Sequence, residues 1–182
     1  TFQLSRNMTK VNAPADLPHP VSAFLNAFYR ASDTSPAENP RAHELYADFF
    51  LPNSPLLMGP NTFNGREGFI KFREQGWEKV SSRRHVVLDV FPRLGEGKKE
   101  CELMLRGTVE YGMKDGSKGA ADWAGHMKLN YLEDEGGYKL AFYQVWIVSR
   151  LVYVDNGFML IRLTDSALRS CGNLCLSTED DM

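Results

Sequence analysis

The sequence predicts an α+β fold, with three N-terminal helices layered on one curved, mainly antiparallel sheet. Two observations predict it. Up to residue 77, apolar residues recur every three or four positions, the period of a helix that buries one stripe. After Ser82 the period drops to two over four long segments, separated by Gly95-Glu96-Gly97, by Lys114 to Gly119 and by Glu133 to Gly137. Helices first and strands afterwards define a layered fold rather than alternating βα units.

Residues 1–19 are polar, with Pro14 and Pro18, and read as a flexible leader. In VSAFLNAFYRAS, Val21, Phe24, Leu25 and Phe28 form the first amphipathic stripe, and DTSPAENP then breaks the helix. Asn39-Pro40 reads as a cap and first-turn proline for RAHELYADFF, which places Ala42, Leu45, Tyr46 and Phe49 on one face. A short strand is expected at Leu56–Met58. Asn64 and Glu67 have the spacing of a capping box for GREGFIKFREQGW, whose Phe69, Ile70 and Trp77 point inward. Strands are expected over 84–93, 99–112, 120–133 and 137–148.

On the second and third strands, Cys101, Leu103, Leu105, Val109 and Tyr111, then Trp123, Gly125, Met127, Leu129 and Tyr131, form the buried face. On the first, His85, Val87 and Asp89 share a side. On the fourth, Tyr138, Leu140, Phe142, Gln144 and Trp146 are placed inward. The domain is expected over 20–148, with 149–182 an extension that reads as a strand, a turn at Asp155-Asn156-Gly157, and a further strand or helix.

A chain of 182 residues with net charge −2, 43% apolar and 24% charged, suits one globular domain and not an electrostatic nucleic-acid binder. No apolar run approaches the ~20 residues of a membrane span, and the first residues lack a secretory h-region, so a cytoplasmic protein with no membrane partner is expected. The three cysteines, Cys101, Cys171 and Cys175, read as reduced thiols, and the last two lack two-residue metal spacing. His19 falls in a loop and His43 on the outer side of the second helix. No two histidines share a ligand spacing, so neither metal nor cofactor is expected. Nucleophile elbows and glycine-rich phosphate loops are also missing from the sequence.

The helix running into Ser32-Asp33, the opening Asn64-Gly65-Arg66-Glu67-Gly68-Phe69-Ile70, and Arg84-His85 entering a sheet that ends HMKLNYLEDEGGYKLAFYQVW together resemble the nuclear-transport-factor-2-like (cystatin-like) superfamily. Within it they are similar to the SnoaL-like polyketide cyclase and dehydratase group, over about residues 20–147. The resemblance implies a cone-shaped barrel with a pocket between helices and concave sheet, and a homodimer through the outer sheet face. It covers dehydratases, cyclases, isomerases and silent binding modules, so the fold leaves function open. Scytalone dehydratase-like members keep an aspartate after the first helix and a histidine at the start of the strand after the third, which align with Asp33 and His85. The chain departs from them at Ser32, in place of a tyrosine, and at Gly125 and Met127, in place of a polar pair. Their second histidine has no counterpart in RGTVEYG.

These residues frame two functions. In the first, His85 is the proton-transfer group, since an ordinary imidazole titrates near neutrality, and Asp33 sets its tautomer. Tyr29, Tyr46, Trp77, Trp123, Met127, Phe142, Gln144 and Trp146 then bind a hydrophobic, oxygenated ring metabolite. In the second, the fold is a non-catalytic ligand-binding or dimerisation module, His85 is a hydrogen-bonded core histidine, and Trp77, Trp123, Phe142 and Trp146 fill the core. Asp89 is excluded as the partner of His85, because four residues of strand span about 13 Å. Arg106, Glu110, Asp122, His126 and Lys128 all have outward parity and read as an ion-pair ladder or dimer face.

Overall fold

The computed structural model of the chain describes residues 9–95 and 99–147, with the backbone of 148–149, 152–154 and 157–159. Strand β1 (Lys10–Val11) precedes helix α1 (His19–Asp33), so His19 opens the helix rather than lying in a loop. Val21, Phe24, Leu25, Phe28, Tyr29 and Ser32 make the buried stripe of α1, and Pro20 occupies its first turn, where no backbone donor is needed. Helix α2 (Ala42–Ala47) begins later than expected. Asn39 closes its Oδ1 on the Arg41 backbone N–H at 2.9 Å, an Asx turn that holds 40–41 outside the helix. Strands β2 (Pro55–Met58) and β3 (Asn61–Asn64) follow as a hairpin, then helix α3 (Gly65–Trp77). The expected capping box is not formed, since Asn64 makes no side-chain cap bond. Gly65 instead makes the entry at φ +68, a conformation that favours glycine, and Arg66 pairs with Asp48.

Four long strands complete the sheet: β4 (Val80–Leu94), β5 (Glu100–Met113), β6 (Lys118–Leu132) and β7 (Gly137–Ser149). The seven-stranded order is β1-β4-β5-β6-β7-β2-β3. The central meander is antiparallel, while β1 joins β4 and β2 joins β7 in parallel. Three helices thus pack on a mixed, mostly antiparallel curved sheet. The described part of the N-terminal segment is tied in rather than loose: Lys10 and Val11 pair with Val86 and Val87, and Leu17 is buried. Two residues of edge pairing and one apolar anchor are too short a signal to rise above a proline-rich leader.

Two bulges reset the sheet's faces. On β4 the register skips Leu88, so His85 and Val87 face inward, Val90 continues the inner face, and Asp89 turns outward to pair with Arg106 at 2.5 Å. On β7 it skips Ala141, so Tyr138 and Leu140 face inward, followed by Tyr143 and Val145. This corrects the inward placement of Phe142, Gln144 and Trp146, which lie on the outer face. One inserted residue inverts every later side chain of a period-two strand. The β7 bulge lies where the chain leaving α2 docks: Leu140 N–H donates to the Phe49 carbonyl at 2.8 Å, and its own carbonyl accepts from Leu51 N–H at 2.9 Å.

Among the described residues no helix is long and apolar enough to cross a membrane. Residues 151–182 form a unit of their own, in which β8 (Val152–Val154) pairs antiparallel with β9 (Gly157–Met159). Cys171 and Cys175 lie outside the described residues.

Candidate functional site

Asp33 is the last residue of α1, and His85 lies on the inner face of β4. The imidazole Nδ1 and the Asp33 Oδ1 are 2.5 Å apart. The second carboxylate oxygen accepts the His85 backbone N–H at 2.9 Å and the Thr9 hydroxyl at 2.6 Å. Three bonds from three directions fix the carboxylate, and with it the tautomer: Nδ1 carries a proton toward Asp33, leaving Nε2 for other chemistry. The Asp33 and His85 side chains are 10% and 16% exposed, so solvent reaches the pair only at its edge.

Asp33 is held from behind by Arg73. This side chain belongs to the buried stripe Phe69, Arg73, Trp77 of α3, and it is 1% exposed. Its Nη1 donates to the Ser32 carbonyl at 2.5 Å and its Nη2 to the Thr34 carbonyl at 2.8 Å, clamping the residues on either side of Asp33. Cations at a helix C-terminus also meet the negative end of its dipole. Burial pulls the Arg73 pKa down to about 10, with the nearby Arg83 adding to the shift.

Inward of His85 the sheet carries rings. The Tyr29 ring lies 5.4 Å from the imidazole and 5.4 Å from Trp123, on which it stacks, while Trp123 meets His85 edge-on at 5.9 Å. The Tyr29 and Tyr143 hydroxyls are 3.3 Å apart. Burial holds both phenols well above their ordinary pKa, and each therefore keeps its proton as a potential donor. The Trp123 Nε1 is buried without an acceptor among the described residues, as is the Trp77 Nε1. Gly107 lies in register with Trp123 and leaves the room that its indole occupies.

The structure therefore brings together Asp33, His85, Tyr29 and Trp123. Tyr46, Trp77 and Met127 are buried in the same interior, Tyr46 and Trp77 around Arg73, whose guanidinium lies 5.0 Å and 5.4 Å from their ring centres. Phe142, Gln144 and Trp146 are not part of it. On the outer face Phe142 packs on His126 at 5.1 Å, and His126 bonds Glu102 at 2.7 Å. His43, expected on the outside, is half-buried with an unpartnered Nδ1, and burial lowers its pKa. Sequence reasoning missed Thr9, Arg73, Arg83 and Tyr143. Arg73 had a signal, four residues from both Phe69 and Trp77 on the apolar stripe. Tyr143 had none, because its side depends on the bulge.

Clefts open on the described surface on two sides of α1. One, of about 520 Å³, lies among Ala31, Ala42, Leu45, Phe49 and Tyr138 on the outer side of α1 and α2. The other, of about 670 Å³, is walled by Asp33 together with Thr34, Arg83, Arg84 and Tyr111. Asp33 walls this cleft, while His85, Tyr29 and Trp123 lie behind it and do not line it.

No family model matches the chain, and no curated protein does. Solved structures do match by shape. A candidate calcium/calmodulin-dependent protein kinase II association domain of Xanthomonas campestris aligns with a TM-score of 0.63 at 18% identity, over 79% of this chain and 96% of its own. A candidate scytalone dehydratase of Novosphingobium aromaticivorans aligns with a TM-score of 0.62 at 12% identity, over 79% and 91%. A Nostoc punctiforme protein described as having a cystatin-like fold aligns with a TM-score of 0.55 at 13% identity, over 71% and 89%. The fold is the nuclear-transport-factor-2-like one. Within that fold this chain holds the Asp33–His85 pair beside the buried Tyr29–Tyr143 pair.

Proposed function

We propose that the chain is a cofactor-independent enzyme of the dehydratase, cyclase or isomerase kind, acting on a hydrophobic oxygenated ring metabolite of secondary metabolism. The working domain on this reading is residues 20–148, a cone-shaped barrel, with 149–182 an extension. The observation that carries it is the 2.5 Å Asp33–His85 contact with Nε2 left over. A neutral imidazole at that position removes a proton from carbon beside a carbonyl. Returned to a leaving hydroxyl, the same proton completes loss of water, and returned to a different carbon it completes an isomerisation. The Tyr29 and Tyr143 hydroxyls supply donors for the developing enolate oxygen. Candidate substrates are hydroxylated polycyclic ketones, followed by mass spectrometry for loss of water. His85→Asn is expected to slow turnover by about 10²–10⁴-fold, and Asp33→Asn by a smaller factor through the wrong tautomer. Turnover within threefold of the parent in His85→Asn would sink the reading.

A second reading, a non-catalytic dimerisation module, is favoured by the outer sheet face. Phe91, Met104, His126 and Gln144 lie in register across four strands, and Arg106, Ala124 and Trp146 make the next row. Phe91, Met104 and Trp146 are 62%, 44% and 41% exposed, more apolar surface than a sheet face leaves in water without use. A homodimer through this face is expected at micromolar concentration by light scattering. Met104→Glu with Trp146→Lys should yield monomers without loss of fold, and a parent chain that runs as a monomer refutes the interface.

A further inference from the structure

The cleft beside Asp33 carries more positive charge than it neutralises. Its ionisable lining comprises Arg30, Arg83, Arg84 and Lys118 against Asp33, Glu38 and Glu110. All three carboxylates are engaged: Asp33 with His85, Glu38 with Ser35 and Glu110 with Arg84. Arg30, Arg83 and Lys118 form no ion pair with any described carboxylate. In a chain whose net charge is −2, that is a local reversal of sign.

A second observation points the same way. The Arg83 guanidinium lies 4.8 Å from the Trp77 ring centre and 5.6 Å from that of Tyr111, and its Nη2 donates to the Gly76 carbonyl at 2.8 Å. Its Nε is buried with no acceptor, and so are the Nε of Arg73 and the Nε1 of Trp77, around the same indole. Two guanidiniums on one ring, with three N–H groups unanswered and no carboxylate, are costly as they stand. Of these groups Arg83 alone lines the cleft, and an oxyanion there supplies the opposite charge that its guanidinium lacks.

We propose that this cleft takes the carboxylate of a small organic acid, seated on Arg83 with Arg30 and Lys118 at the mouth. The inference rests on the acid–base reading only for the other end of the molecule. Asp33 walls the same cleft, so an acid held on Arg83 lies on the Asp33 side of the Asp33–His85 pair, with His85 behind the cleft wall.

Calorimetric titration of the full chain with benzoate, and with benzamide as its uncharged counterpart, tests the seat. Benzoate is expected to bind with a dissociation constant in roughly the millimolar range, about tenfold or more tighter than benzamide. Its affinity should fall with added sodium chloride. Arg83→Met should weaken benzoate about tenfold and leave benzamide unchanged. Should that variant not fold by circular dichroism, the exposed pair Arg30→Gln with Lys118→Gln carries the test, with a loss of about threefold or more. Equal binding of the two probes, or benzoate affinity unmoved by every charge-removing variant, overturns the carboxylate seat while leaving the Asp–His reading intact. Absence of benzoate binding at roughly 20 mM also overturns it. Benzoate that binds as expected to a chain whose turnover ignores His85→Asn keeps the seat and removes the acid–base reading.

Discussion

Arg73→Ala is expected to lower the stability of the folded chain by about 3–5 kcal/mol, a large part of the roughly 5–15 kcal/mol that domains possess. The side chain is among the most buried of the described residues, and its two terminal nitrogens are the donors for the Ser32 and Thr34 carbonyls. Truncation leaves the buried Ser32 carbonyl without its donor, at about 1–3 kcal/mol, loses the part-buried bond to Thr34, and opens a void between Tyr46 and Trp77. In thermal unfolding this corresponds to a fall of roughly 6–20 °C for a chain of this size. Arg73→Met is expected to recover part of the loss, since the thioether refills the space and no buried charge remains. Arg73→Lys keeps the charge but loses the planar fork that reaches both carbonyls at once. The test is specific because the clamp flanks Asp33. In Arg73→Met the nitrogen and carbon resonances of His85 should shift, reporting a loosened Asp33. A melting temperature within about 2 °C of the parent for Arg73→Ala, or unmoved His85 signals in Arg73→Met, would show that the clamp does not position the pair.

Gly107→Ala is expected to cost about 3 kcal/mol or more, at the upper end of overpacking effects. A methyl group at this position would lie 2.4 Å from the Trp123 Cζ2 and 2.4 Å from the Val86 carbonyl oxygen. The indole could swing aside only into the space of Tyr29 and His85, and the carbonyl belongs to the β4 ladder beside His85. Trp123→Leu in the same chain should relieve the ring but not the backbone contact, and so restore only part of the stability. Gly112→Ala is the control. Its methyl would also meet an atom at 2.4 Å, but that atom is the Ser82 hydroxyl, the free end of a short, exposed side chain on the neighbouring strand. Its cost should stay below about 1 kcal/mol. Equal losses for the two glycines in chemical denaturation would contradict the view that the Trp123 seat is rigid.

Much of the fold was legible because it rests on local periodicity. The α1 stripe of Val21, Phe24, Leu25 and Phe28 repeats every three to four residues, and the inner faces of β5 and β6 alternate without interruption, so the side of each residue follows from its neighbours. Asp33 and His85 were legible as a pair only through the resemblance, which implies an aspartate after the first helix and a histidine at the start of the strand after the third. The rest was not, for one physical reason. A bulge is a two-strand event, set by what docks on the neighbouring edge, and no residue type announces it. Leu88 and Ala141 look like ordinary strand residues, yet they send Asp89, Phe142, Gln144 and Trp146 outward and bring Tyr143 in.

By itself the sequence determined the order of elements and the stripes that bury them, and through its resemblance it pointed to Asp33 and His85. Only the tertiary structure decided who keeps them company. It closed the Asp33–His85 distance, set Thr9 and Arg73 around the carboxylate, put Tyr143 beside Tyr29, and left Arg83 facing a cleft without a carboxylate partner. These contacts join positions 24 to 114 residues apart, and such pairings belong to the folded surfaces rather than to any local run of side chains.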